Sequence, residues 1–171
     1  MLVLCMSLSL MACNSYKYNY QGENFKVQYD EELLQITPCG DYGYEDIFVQ
    51  PVDGFFVAYV DVALIDEHYG EPKVILDNMQ KYFLSESVNG KVTNESSNTT
   101  TGRYKKSSTS IVEYNYSIVS DYTTQTIMSK VETIGQNQFV VIYRCFEGYY
   151  NEDITNALKL SYESAALSLN D

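Results

Sequence analysis

The chain runs to 171 residues, 45% of them hydrophobic and 20% charged, which is the length and balance of one ordinary globular domain. That apolar fraction excludes wholesale disorder. Eleven basic against 23 acidic residues leave a net charge of −12, which repels phosphate backbones and excludes nucleic acid as a partner.

Met1 to Ala12 carry no charge and are mostly apolar, and the chain turns polar directly after Cys13. Spanning a hydrocarbon core takes about 20 apolar helical residues, so this stretch reads as the apolar region of a signal peptide, residues 1–12. Leu10-Met11-Ala12-Cys13 resembles the lipobox of bacterial lipoproteins, with a branched residue at the third position before the cysteine and a small one directly before it. The resemblance implies diacylglycerol on the Cys13 sulfur, cleavage before Cys13, and a domain tethered to the extracytoplasmic face of the cell membrane. Each buried acyl CH₂ contributes about 0.8 kcal/mol, and two chains hold what one releases. The alternative is a buried amino-terminal strand or helix with an incidental cysteine. Residues 13–24 are polar apart from three tyrosines and read as a flexible tether, with the folded domain over 25–171.

Phe25, Val27 and Tyr29 alternate with Lys26 and Gln28, the period of a strand with one buried face. A turn-rich stretch follows around Pro38, Gly40 and Gly43, then the short apolar run Ile47 to Gln50. From Phe55 to Ile65 both alternating sets are apolar, which predicts a strand covered on both faces. Gly70-Glu71-Pro72 is a helix entrance with proline in the first turn, and Ile75, Met79, Tyr82, Phe83 and Glu86 mark one stripe of that helix. Ser87 to Lys106 is polar, small and exposed, with a weak edge strand between turns. Val112 to Ile118, Ile127 to Ile134 and Gln138 to Phe146 then read as three strands of a meander. Asn151 caps a last helix, with Glu152 and Asp153 in its first turn and a buried stripe of Ile154, Leu158, Tyr162, Ala165 and Leu169. These elements predict an α+β fold: a single antiparallel β-sheet of about six to seven strands with helices packed on its faces.

The segments F-K-V-Q-Y-D, P-K-V-I-L-D-N-M-Q-K-Y-F, V-E-Y-N-Y-S-I, F-V-V-I-Y-R-C-F and S-Y-E-S-A-A-L-S-L, in this order between Phe25 and Leu169, resemble the PsbP-like superfamily. That superfamily includes photosystem extrinsic subunits, the DcrB lipoproteins and a yeast Ran-binding import factor. The resemblance implies an α/β/α sandwich whose members bind or support partner proteins, and it carries over no functional residue.

Residues with chemistry to offer are few. The single histidine, His68, stands among Asp66, Glu67 and Glu71, and an imidazole with carboxylates suits Zn²⁺ or Mn²⁺. The simpler reading of Asp66, His68 and Glu71 is a solvated loop that opens a helix. The acidic stretch Asp41 to Asp46 lacks the order that wraps calcium in an EF-hand. No G-x-S-x-G elbow, Walker A loop, G-x-G-x-x-G, H-E-x-x-H or C-x-x-C occurs, so neither catalysis nor a cofactor is expected. Cys39 and Cys145 are either two buried thiols or a disulfide closing roughly 100 residues, which in the chain-entropy model stabilises by up to about 4 to 5 kcal/mol. Among 17 tyrosines, Tyr42, Tyr44, Tyr149 and Tyr150 lie in turns beside acids and form a candidate adhesive patch for a partner. The expected function is that of a non-catalytic, membrane-anchored envelope lipoprotein that binds a protein of the cell envelope. The rival is a small-ligand or metal-binding lipoprotein serving transport, which requires a concave pocket with convergent polar groups.

Overall fold

The computed structural model describes residues 18–21, 25–39, 44–49, 58–66 and 70–168. Its elements are β1 (Tyr18–Gln21), β2 (Phe25–Tyr29), β3 (Leu34–Cys39), β4 (Tyr44–Val49), β5 (Ala58–Asp66), α1 (Pro72–Ser85), β6 (Lys91–Tyr104), β7 (Ser107–Val119), β8 (Thr124–Ile134), β9 (Asn137–Phe146), α2 (Glu152–Ser164) and β10 (Ala166–Leu167). Seven strands make an antiparallel sheet in the order β3-β4-β5-β9-β8-β7-β6, and α1 and α2 pack on its opposite faces. The fold is α+β, as the alternation of the strands and the two helical stripes predict.

The two faces follow from side-chain alternation. Val60, Val62, Val141, Tyr143 and Cys145 point toward α2 and bury against Leu158 and Tyr162. Ile127, Val131 and Val140 point the other way and meet Ile75, Leu76 and Phe83 of α1. Each helix stripe is therefore the cover of one sheet face, and hydrophobic burial on both sides holds the three layers together.

The expectation of a single sheet is corrected. β2 leaves the main sheet and pairs with β1 on one side and β10 on the other. Phe25 and Val27 bury in the core on the α2 side, and β10 begins one residue after the helix's C-cap, Ala165. The Ser164 hydroxyl fixes the junction, accepting from the Gln28 amide at 3.0 Å and lying 3.2 Å from the Gln28 carbonyl, to which it donates. The tether is corrected with it, because Tyr18–Gln21 is a strand in register with β2, Tyr18 opposite Tyr29. α2 also stops short of the expected end: Ala165 is extended at φ −61 and ψ 119, and Leu167 buries in β10. Leu169 lies outside the described residues. The N-cap is where the sequence puts it, Asn151 Oδ1 accepting from the Ile154 amide at 3.0 Å.

Candidate functional site

β5 reads A-Y-V-D-V-A-L-I-D, apolar on both alternating sets except for Asp61 and the terminal Asp66. One set, Ala58, Val60 and Val62, is fully buried under α2. The other set, Tyr59, Asp61, Ala63 and Ile65, is only half-buried. The expected cover on both faces is thus missing from this one, and the reason lies in the placement of α1. The helix packs on β7 and β8, so β5 stands beside it, not beneath it. At the helix entrance Gln138 Nε2 donates to the Gly70 carbonyl at 2.8 Å, tying α1 to the start of β9.

Between α1 and β5 runs a cleft of about 220 Å³, lined by Asp61, Ala63 and Ile65 of β5, Ile75 and Met79 of α1, and Val140 and Ile142 of β9. Asp61 is the ionisable member of that lining. Its register partner on β4 is a second aspartate, Asp46.

Two residue pairs further along the strands, Tyr59 stands opposite Arg144. Arg144 Nε donates to Gln125 Oε1 at 2.7 Å, while Nη1 meets Glu86 Oε2 at 3.2 Å and the Tyr59 hydroxyl at 3.4 Å. Gln125 passes the chain on by donating from Nε2 to Ser87 Oγ at 2.7 Å, and Ser87 donates to the Phe83 carbonyl at 2.9 Å. The guanidinium carbon lies 4.6 Å from the Phe83 ring centre and 5.1 Å from that of Phe146. Burial, with the Asp61 carboxylate nearby, pushes the Tyr59 hydroxyl up to about 12 against the opposing pull of Arg144. This cluster joins the end of α1 to the sheet and holds a cation whose charge is already matched.

Few of the residues singled out from sequence are among the described ones. Cys13, Tyr42 and His68 lie outside the described residues, as do the side chains of Cys39, Tyr44 and Asp66. Cys145 is a free, buried thiol. Successive register pairs carry Cys39 to Tyr44, Ala63 and then Val140, so Cys39 stands three strands and five residues from Cys145. That is roughly 14 Å across the sheet and 17 Å along it. A disulfide needs Cα atoms within about 7 Å, so the expected bridge is corrected to unlinked cysteines.

The same register separates the tyrosines. Tyr44 begins β4 at the Val140 end of the sheet, whereas Tyr149 and Tyr150 follow β9 at the Cys145 end. Tyr149 is 62% exposed, but Tyr150 is half-buried and packs against the core on the α2 side. Glu71 is exposed and serves as the N-cap residue of α1. Among the described residues no group of three or more His, Cys, Asp or Glu side chains is placed to hold a metal ion. None of their helices is long and apolar enough to cross a membrane.

Asp61 and Arg144 were missed as site residues, yet the sequence marks both: each is a charge set inside the apolar run of its strand.

No family model matches the chain, and no curated protein matches it in sequence. Among solved structures it is similar to the solution structure of cyanobacterial PsbP (CyanoP) from Synechocystis sp. PCC 6803, with a TM-score of 0.47 and 11% identity, over 80% of this chain and 93% of that one. At that score and identity the likeness assigns neither site nor activity.

Proposed function

We propose that the protein is a non-catalytic binding module, held at the extracytoplasmic face of a bacterial membrane by diacylglycerol on Cys13, that docks a protein of the cell envelope in the cleft between α1 and β5. The observation that carries this reading is the half-buried second face of β5, where Ala63 and Ile65 stand beside the helix instead of under it. Apolar surface left uncovered next to a helix is surface that a partner can bury. The volume argues for a side chain over a metabolite, because 220 Å³ falls below the roughly 300 to 1,000 Å³ of small-molecule sites. The lining also offers one carboxylate where a metabolite site would converge several polar groups. The anchor rests on the Leu10 to Cys13 motif. With β1 starting at Tyr18, the leash between Cys13 and the folded body spans at most about 18 Å, which keeps the domain against the bilayer.

The test is cross-linking and co-purification from solubilised membranes of the native host, using wild type, Cys13→Ala and Ala63→Phe. Wild type partitions with membranes and retains a cross-linked partner, Cys13→Ala appears in the soluble fraction, and Ala63→Phe stays on the membrane but loses the partner. Membrane retention of Cys13→Ala removes the lipid from the reading. A partner held equally by Ala63→Phe removes the cleft.

A further inference from the structure

We infer that the cleft takes a cationic side chain, lysine or arginine, from the partner polypeptide, with its alkyl stem against Ala63, Ile65, Met79 and Ile142 and its charge at Asp61. The inference rests on the binding reading above and names the chemistry of the partner. A long basic side chain buries an apolar stem while keeping its charged head at a polar edge, and the lining has that composition: an apolar trough with a carboxylate as its ionisable group. Asp61 already interacts within the fold, and a carboxylate has lone-pair sites enough to share with an incoming cation.

An anionic occupant fits worse. The neighbouring cation, Arg144, is 13% exposed at its side chain, donates to Gln125 and Tyr59, and is balanced by Glu86, so it offers little to a new carboxylate or phosphate. The whole chain, at −12, repels an anion and draws a cation on approach. A bare metal ion fits worse still, since a hard divalent cation takes several oxygen ligands and the cleft supplies one carboxylate.

The test uses the full chain in non-ionic detergent micelles and three fluorescein-labelled, blocked peptides, Gly-Leu-X-Leu-Gly, with lysine, norleucine or glutamate at X, read by fluorescence anisotropy. Norleucine keeps the stem and removes the charge. The lysine peptide binds about tenfold more tightly than the norleucine peptide, the size expected for a charge-assisted contact in a partly desolvated site, and the glutamate peptide does not bind. Asp61→Asn brings the lysine peptide down to the norleucine value. Ala63→Phe, which leaves Asp61 in place, abolishes binding of both with its far-ultraviolet circular dichroism unchanged, and the norleucine binding kept by Asp61→Asn shows that variant to be folded. Raised salt weakens the lysine peptide alone. Norleucine binding as tightly as lysine, glutamate binding, or lysine binding unaffected by Ala63→Phe overturns the inference. If the peptides fail to discriminate while Ala63→Phe still loses the membrane partner, the cleft remains the docking site and the assigned cation is wrong.

Discussion

Arg144 divides its guanidinium among a half-exposed carboxylate, a buried amide and two aromatic faces, and these contacts differ in worth. Glu86 is 39% exposed at its side chain, so the ion pair contributes at most about 1 kcal/mol. Gln125 is 2% exposed, and an Oε1 stripped of its donor there costs about 1 to 3 kcal/mol. Glu86→Gln is therefore expected to lower unfolding stability by under about 1 kcal/mol, and Arg144→Ala by about 3 kcal/mol, from the lost amide partner and ring contacts. Urea unfolding of the two variants checks the contrast; equal losses would mean that the ion pair, not the amide, holds this corner. At this scale the sequence was legible in an indirect way. Asp61 and Arg144 are visible as charges that break apolar strands, because a charge in such a place demands partners. What those partners are depends on register, and for the same reason the pairing of Cys39 with Cys145 and the grouping of the turn tyrosines were not legible.

On β6, side chains of β7 and β8 crowd the position where Gly102 has no side chain. A Cβ on Gly102 would meet Thr109 Oγ1 at 2.6 Å, Glu132 Oε1 at 2.8 Å and Ile111 Cδ1 at 2.8 Å. Thr109 donates to Glu132, so neither oxygen is free to swing aside without breaking that bond. Gly102→Ala is expected to cost about 1 to 3 kcal/mol by overpacking, despite the general preference for alanine over glycine in a strand. Thermal unfolding measures it, and a neutral or stabilising result would show that the contact yields. Elements with a strong period were legible: α2 from its cap and stripe, α1 from its proline entrance, and β7 to β9 from their alternation. β1, β3 and β10 were not, since strands of 4, 6 and 2 residues exist through their partners and not through their own pattern. β6 is a 14-residue edge strand in a Ser, Thr and Asn-rich segment that offers no buried face to read. The end of α2 was hidden in its serines: Ser164 Oγ lies 3.1 Å from the Ser161 carbonyl and also contacts β2, so the chain leaves the helix where a longer apolar stripe would have continued it.

The whole molecule is a three-layer stack cemented by tyrosine, with 17 tyrosines and no tryptophan. The α1 side buries Tyr116 and the α2 side buries Tyr143 and Tyr162, and burial raises all three hydroxyls above their ordinary value of 10.0. Tyr59, beside the cleft, is raised to about 12. The sign of the consequence follows from linkage. A group whose folded-state pKa is raised favours the folded state fully below its unfolded value, and that stability is lost as pH rises from the unfolded toward the folded value. The fold is therefore expected to hold up to about pH 10 and to weaken steeply from there toward pH 12 and above, with several tyrosines acting together. Tyrosinate absorbance followed beside far-ultraviolet circular dichroism tests it: the buried tyrosines ionise in one step that coincides with loss of the sheet. Ionisation of every tyrosine well before the sheet is lost would contradict it. The Tyr116 hydroxyl is buried with no hydrogen-bond partner among the described residues, so Tyr116→Phe removes a group that favours unfolding in alkali and leaves no donor or acceptor orphaned. Its alkaline midpoint moves upward while its stability at neutral pH is unchanged or slightly raised.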